Sequence, residues 1–134
     1  MTDKSNFEAI PIGLEMGPLE IVLDEAFIQD RISIIQWEDN TLLKREKIVP
    51  PGITISQHAG MKFKAVPELR ASIWAKSEHE FIKPMIAGGR ITIRGKIIDK
   101  YVKRNRNYIV AEYETVDETG QVLIKSRETA VHVE

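Results

Sequence analysis

From Ala71 to Val133 the chain alternates β-prone runs with turn signals, and this pattern constrains the fold more than any other feature of the sequence. The runs are Ile73 and Ala75 continuing to Phe81, then residues 91–97, 108–113 and 122–133. They are rich in β-branched and aromatic residues, which suit a pleated and half-buried backbone. Between them stand Ala87-Gly88-Gly89, Lys103-Arg104-Asn105-Arg106-Asn107 and Asp117-Glu118-Thr119-Gly120. Connections this short join neighbouring strands as hairpins, so the sheet is expected to be antiparallel.

Two helical stretches precede these strands. Asp24 stands as an N-cap before Phe27, Ile28, Ile32, Ile35 and Trp37, whose three-and-four spacing predicts an amphipathic helix to about Trp37. Glu38-Asp39-Asn40 is a turn-prone stop, and Lys44-Arg45-Glu46-Lys47 leads to Ile48-Val49-Pro50-Pro51-Gly52, where two prolines end regular structure. A second helix is expected from Thr54, as its cap, to a stop before Pro67, and its small and apolar residues predict burial. Helices first and hairpin-linked strands afterwards make an α+β domain, with the antiparallel sheet curled around the second helix to cover its apolar residues.

At 134 residues with 43% hydrophobic content, one domain over residues 1–134 has material for a core, and two would not. The 19 Lys+Arg against 20 Asp+Glu leave a formal charge of -1, which argues against a binder of polyanions, so no nucleic acid is expected. The absence of cysteine excludes disulfides, thiolate zinc sites and a cysteine nucleophile, leaving chemistry to oxygen and imidazole groups, and it suits a cytoplasmic location. The polar start, Met1 to Asn6, and the lack of an apolar run of about 18 residues predict neither a signal peptide nor a membrane span.

Among the histidines, His58 falls in the second helix, either as a base facing a ligand or as a helix histidine bonded to backbone or solvent. His79, between Glu78 and Glu80, is expected to be exposed with a raised pKa, and His132 to sit at a strand edge. Asp39 is a candidate to orient a water or a histidine, and equally a helix-stop residue. Lys103, Arg104 and Arg106, with Lys100 nearby, form the one local basic cluster, suited to the phosphates of coenzyme A or an acidic carrier, or to a solvated hairpin tip. Pro51, Gly52, Ile53 and Thr54 are the candidate substrate-binding residues, because a glycine at a helix start lets a ligand oxygen approach exposed N–H groups. No metal-ligand spacing occurs, and Glu78-His79-Glu80 sends alternate side chains to opposite faces, so no metal is expected.

Trp74 through Pro84, followed by Ala87-Gly88-Gly89-Arg90-Ile91-Thr92, resembles the F-x-x-P…G-D-x-(L/I) strand-turn-strand of MaoC-like acyl dehydratases, which have the hotdog fold. Gly95-Lys96-Ile97-Ile98-Asp99-Lys100-Tyr101, Val110-Ala111-Glu112 and Asp117 to Val122 resemble the closing strands of that family, and Ile48 to Gly52 resembles the A-P-P before its central helix. The resemblance spans roughly residues 20–134. It implies an antiparallel sheet wrapped around a long central helix near residues 54–66, and two such units paired edge to edge with an acyl thioester in a tunnel between them. It further implies hydration of 2-enoyl-CoA or dehydration of 3-hydroxyacyl thioesters by an Asp and a His, with a backbone N–H at the helix start polarising the thioester carbonyl. No cofactor is implied beyond the coenzyme A or carrier thioester of the substrate. Asp39-Asn40 matches the D-x-N of the family's G-D-x-N-P-x-H only loosely; Thr41-Leu42-Leu43 follows, the P-x-H is missing, and ten residues separate Asp39 from Pro50. The expectation is a subunit that pairs with a catalytic hotdog unit, as homodimer or heterodimer, with Asp39 and His58 as its candidate catalytic residues. The alternatives are a non-catalytic acyl-CoA-binding or scaffolding module and an acyl-CoA thioesterase, the latter disfavoured because no Asp or Glu lies between Thr54 and Val66.

Overall fold

The computed structural model describes residues 6–35, 41–67 and 69–133. In chain order these form α1 (Asn6–Ala9), β1 (Glu15–Val22), α2 (Glu25–Ile35), α3 (Thr41–Glu46), β2 (Ile48–Val49), a 3-10 turn (Pro51–Thr54), α4 (Gln57–Ala65), β3 (Ala71–Phe81), β4 (Met85–Ile86), β5 (Arg90–Lys103), β6 (Arg106–Asp117) and β7 (Val122–Val133). The main sheet runs in the order β1-β5-β6-β7-β3 with every neighbouring pair antiparallel, and β2 with β4 forms a small second ladder. The α+β class and the antiparallel arrangement follow the sequence expectation.

One face of the sheet is the core. Ile91, Ile93 and Ile97 of β5, Ile109, Ala111 and Tyr113 of β6, and Ile124 and Ala130 of β7 alternate inward and are buried. The central helix α4 lies on this face, where Met61 is buried against β1. There β1 shifts register between Met16 and Leu19, and Gly17, at φ 84°, sits at the crossing. A Cβ on Gly17 would lie 2.8 Å from Met61 Cε and 3.0 Å from the Ile93 carbonyl oxygen, so glycine is what allows the helix so close.

The cap on α2 is as expected, with Phe27 N–H donating to Asp24 Oδ1 at 2.8 Å. Its predicted end at Trp37, and the stop at Glu38-Asp39-Asn40, lie outside the described residues. The central helix differs in its start and length. It begins at Gln57 after the separate 3-10 turn and runs nine residues, with Ser56 at its N-cap making no side-chain bond. Thr54 is therefore not the cap: it is fully buried, and its hydroxyl points to Met85 Sδ of β4 at 3.9 Å. The five-residue turn expected at residues 103–107 is also tighter. Lys103 pairs with Arg106, leaving Arg104 (φ 51°) and Asn105 (φ 61°) as a two-residue loop with both residues left-handed, the twist a tight hairpin requires.

The long strand β3 is the free edge of the sheet beside β7. Ile73, Trp74 and Phe81 on it are half or more exposed.

Candidate functional site

On its inner face the sheet is apolar from β1 to β6 and turns polar towards β3. Ser126, Glu128 and His132 of β7 continue the inward phase of Ile124 and Ala130 and are buried, and His79 of β3 pairs with Ser126. Two α4 residues one turn apart, His58 and Lys62, are buried as well. The segment 57–65 forms a helix with these two on its covered side because its exposed residues, Ala59, Gly60, Phe63 and Lys64, leave positions 58, 61 and 62 for the interior.

His58 and Glu128 meet at 2.6 Å between Nδ1 and Oε2, with side-chain exposures of 1% and 6%. A carboxylate only accepts, so opposite a Glu128 carboxylate it is His58 Nδ1 that donates, and Nε2 is the other end of the ring. That Nε2 is buried and meets no hydrogen-bond partner among the described residues. Tyr113 stacks flat on the imidazole, with centroids 4.1 Å apart and planes 1° apart, and its hydroxyl donates to the His58 carbonyl at 3.3 Å. Gly95 makes room for this stack: a Cβ there would stand 2.7 Å from Cδ1 and Cε1 of the Tyr113 ring.

The remaining groups tune the surroundings. Lys62 Nζ donates to Ser72 Oγ at 2.7 Å, linking α4 to the edge strand; burial lowers its pKa and the Glu128 carboxylate opposes that. Burial, then Glu128, raises the Tyr113 phenol well above its ordinary value, so it stays a neutral donor. His79 corrects the sequence reading. Glu78 and Glu80 alternate to the opposite face, and His79 turns inward, half-buried, to bond Ser126 Oγ at 2.7 Å. Its pKa is lowered by burial, with Glu128 raising and His58 lowering it to smaller degrees.

Of the other expected site residues, Asp39 lies outside the described residues. Pro51, Gly52, Ile53 and Thr54 form the 3-10 turn before α4, where Ile53 and Thr54 are buried and Gly52 is exposed with open space around it. The N–H groups of Ile53 and Ile55 are already bonded to the carbonyls of Pro50 and Gly52. Lys103, Arg104 and Arg106 are exposed at the β5–β6 hairpin tip. Lys100 leaves that cluster to donate to the Phe7 and Glu8 carbonyls and to stand 5.0 Å over the Phe7 ring. Eight strand positions separate Lys103 from Gly95, roughly 25 Å at about 3.3 Å per residue, so the basic tip and His58 are not brought together within this chain. His132 is no edge residue: β7 is paired on both sides, and the ring is buried with its centroid 5.9 Å from that of Phe7.

His58 lines neither of two clefts. One of about 540 Å³ is bordered by Arg94, Lys96, Glu112 and Glu114 and reaches Gly95 and Tyr113, and one of about 430 Å³ lies between β1 and α4 beside Gly60 and Lys64. Among the described residues, no group of three or more His, Cys, Asp or Glu is placed to hold a metal ion. No described helix is long and apolar enough to cross a membrane. Glu128, Tyr113 and Lys62 escaped the sequence reading. The available signal was phase, since Glu128 shares the alternation of Ile124 and Ala130.

No family model and no curated protein sequence matches this chain. Solved structures do. The monoamine oxidase regulatory protein from Archaeoglobus fulgius is similar with a TM-score of 0.78 at 17% identity, over 94% of this chain and 92% of that one. The R-hydratase PhaJ1 from Pseudomonas aeruginosa is similar with a TM-score of 0.77 at 10% identity, over 96% and 85%. The HadBC (3R-hydroxyacyl-ACP dehydratase) complex from Mycobacterium tuberculosis is similar with a TM-score of 0.73 at 10% identity, over 90% and 96%. MaoC-like dehydratases and a hot-dog-like protein are among the further matches. With an antiparallel sheet around α4 and these likenesses over nine-tenths of its length, the chain has the hotdog fold in the form found in MaoC-like dehydratases and R-hydratases.

Proposed function

We propose that this chain acts on acyl thioesters of the 2-enoyl and 3-hydroxyacyl type, as a hydratase–dehydratase-type hotdog unit that works paired with a second one. The observation that carries the reading is His58, an imidazole in the first turn of the central helix, a few residues after the Pro50-Pro51-Gly52 approach, with a buried Nε2 that has no partner among the described residues. Hydration of a conjugated thioester needs a base for the water proton and polarisation of the carbonyl. An imidazole and an exposed glycine at the approach to the helix are groups of those two kinds. Pairing is supported by β3, a free edge of eleven residues with exposed Ile73, Trp74 and Phe81, the kind of edge a sheet protein covers. The partner is a second copy or a different hotdog chain, and the similar HadBC dehydratase is itself a complex. The basic tip, Lys103, Arg104 and Arg106, is assigned to coenzyme A phosphates or to an acidic carrier across the pair, and no cofactor beyond that thioester is needed.

A second reading has one observation in its favour, the missing P-x-H after Asp39-Asn40: this chain then supplies acyl-binding surface while its partner supplies the acid–base pair. Hydration of crotonyl-CoA, followed by loss of the conjugated thioester absorbance, tests both when the mass of the same sample is measured by light scattering. Turnover by a homodimer supports the first reading. A dimer that binds the thioester without turnover supports the second, and a protein that neither binds nor turns over any 2-enoyl-CoA refutes both.

A further inference from the structure

We infer that Glu128 is the positioning residue of an acid–base dyad with His58, so that the reacting imidazole is set by the central helix and the last strand of one chain without Asp39. The inference rests on the functional reading above and names the groups that would carry it. Burying a carboxylate and an imidazole together is costly, and well-packed apolar residues in their place are often as stable or more so. Stability alone therefore gives no account of Glu128 at 5% exposure in the middle of β7, in phase with Ile124 and Ala130.

The geometry restrains the ring in two independent ways. The 2.6 Å bond to Glu128 sets the rotation of the imidazole and its tautomer. The parallel Tyr113 ring sets its plane, and Gly95 on β5 makes space for that ring. What remains is Nε2, with no partner among the described residues. Buried polar atoms are satisfied as a rule, and one left over beside a fully bonded second nitrogen is the arrangement of a group held ready for a ligand.

In the hydration direction, Nε2 takes a proton from water as the water oxygen bonds to C3 of the enoyl group. The C2–C3 π electrons move onto the thioester as an enolate, and the imidazolium returns its Nε2 proton to C2. The balance is one water added across one double bond. Glu128 accepts from Nδ1–H and faces the transient imidazolium charge. The other titratable groups about the pair are Lys62 of α4, His79 of β3 and Tyr113 of β6.

The test uses the full chain, wild type and Glu128→Gln, with crotonyl-CoA for turnover and 3-hydroxybutyryl-CoA for binding by calorimetry. A glutamine oxygen still accepts from Nδ1–H, so the fold and the bond persist while the charge is lost. The expected result is an unchanged melting curve, KM within about twofold and kcat lower by at least tenfold, toward the range general acid–base groups contribute. A kcat within about twofold of wild type overturns the dyad. A wild-type protein that binds 3-hydroxybutyryl-CoA without any turnover also overturns it, while leaving acyl-thioester binding standing; one that neither binds nor turns over ends the dyad and the functional reading together.

Discussion

Replacing Glu128 by alanine removes the acceptor of a 2.6 Å bond and leaves His58, 1% exposed, with a buried donor and no carboxylate. Leaving a buried donor without its acceptor costs about 1–3 kcal/mol, because the survivor keeps its desolvation penalty and loses its compensation. For a chain of 134 residues the unfolding entropy is about 0.28 kcal/mol/K, from about 2.1 cal/mol/K per residue. The melting temperature is therefore expected to fall by about 4–11 °C for Glu128→Ala. The double variant His58→Leu with Glu128→Leu removes both polar groups and fills the space with apolar ones, and it is expected to melt close to wild type or above it. Calorimetry on the wild type, His58→Leu, Glu128→Leu and the double variant closes the cycle. A drop below about 4 °C for Glu128→Ala, equal to roughly 1 kcal/mol, would refute the reasoning, since it would mean that the pair is not held away from water as the distances indicate.

Gly95→Ala should destabilise by about 1–3 kcal/mol in urea titrations, because the new Cβ would stand 2.7 Å from the Tyr113 ring and 3.1 Å from Met16 Cε; an unchanged midpoint would show that the ring can move off its stack. Lys62→Met is expected to raise stability at neutral pH, since burial lowers the Lys62 pKa in the folded chain and the unfolded chain binds the proton more readily. That penalty is present in full below the folded pKa and fades as pH rises towards 10.5, so the gap between variant and wild type should close over that range, and a gap independent of pH would contradict it. Replacing Lys103, Arg104 and Arg106 together by glutamine should raise KM for crotonyl-CoA about tenfold, at roughly 0.5 kcal/mol per exposed contact, and leave KM for the matching N-acetylcysteamine thioester unchanged. Equal effects on the two substrates would take the hairpin tip out of coenzyme A binding.

What was legible in the sequence is what short-range chemistry decides. Asp24 caps α2 through a bond to Phe27, three positions away, and the Asp117 to Gly120 turn closes because Asp117 Oδ1 accepts from Thr119 and Gln121. Such signals lie within one turn of chain, and the antiparallel sheet followed from them. Thr54 shows where this stops. It has a good cap residue's hydroxyl, yet that hydroxyl meets Met85, 31 positions on, and the helix starts three residues later. Strand β1 was missed for a related reason. Gly17 and Pro18 in its middle read as strand breakers, and they are tolerated because β1 is an edge strand with its register shifted at that point.

The candidate site is the extreme case, because His58 and Glu128 are 70 positions apart and nothing local links them. A histidine in a helix and a glutamate in a strand each have an ordinary solvated role, and only the fold of the sheet over α4 removes it. Phase alone marked Glu128: in residues 122–133 a carboxylate stands on the same side as Ile124 and Ala130, which is either an error of patterning or a group with a buried partner. The same alternation accounts for His79, which turns inward while its two glutamate neighbours turn out. Had a cation from the neighbouring strands been in register opposite Glu128, a strand-to-strand ion pair would have been an adequate explanation. Instead its cross-strand neighbours are Ala111 on β6 and Ser77 on β3, neither of them charged, so its counter-group had to come from the layer above the sheet, and the helix lying there presents His58 with Lys62 one turn on.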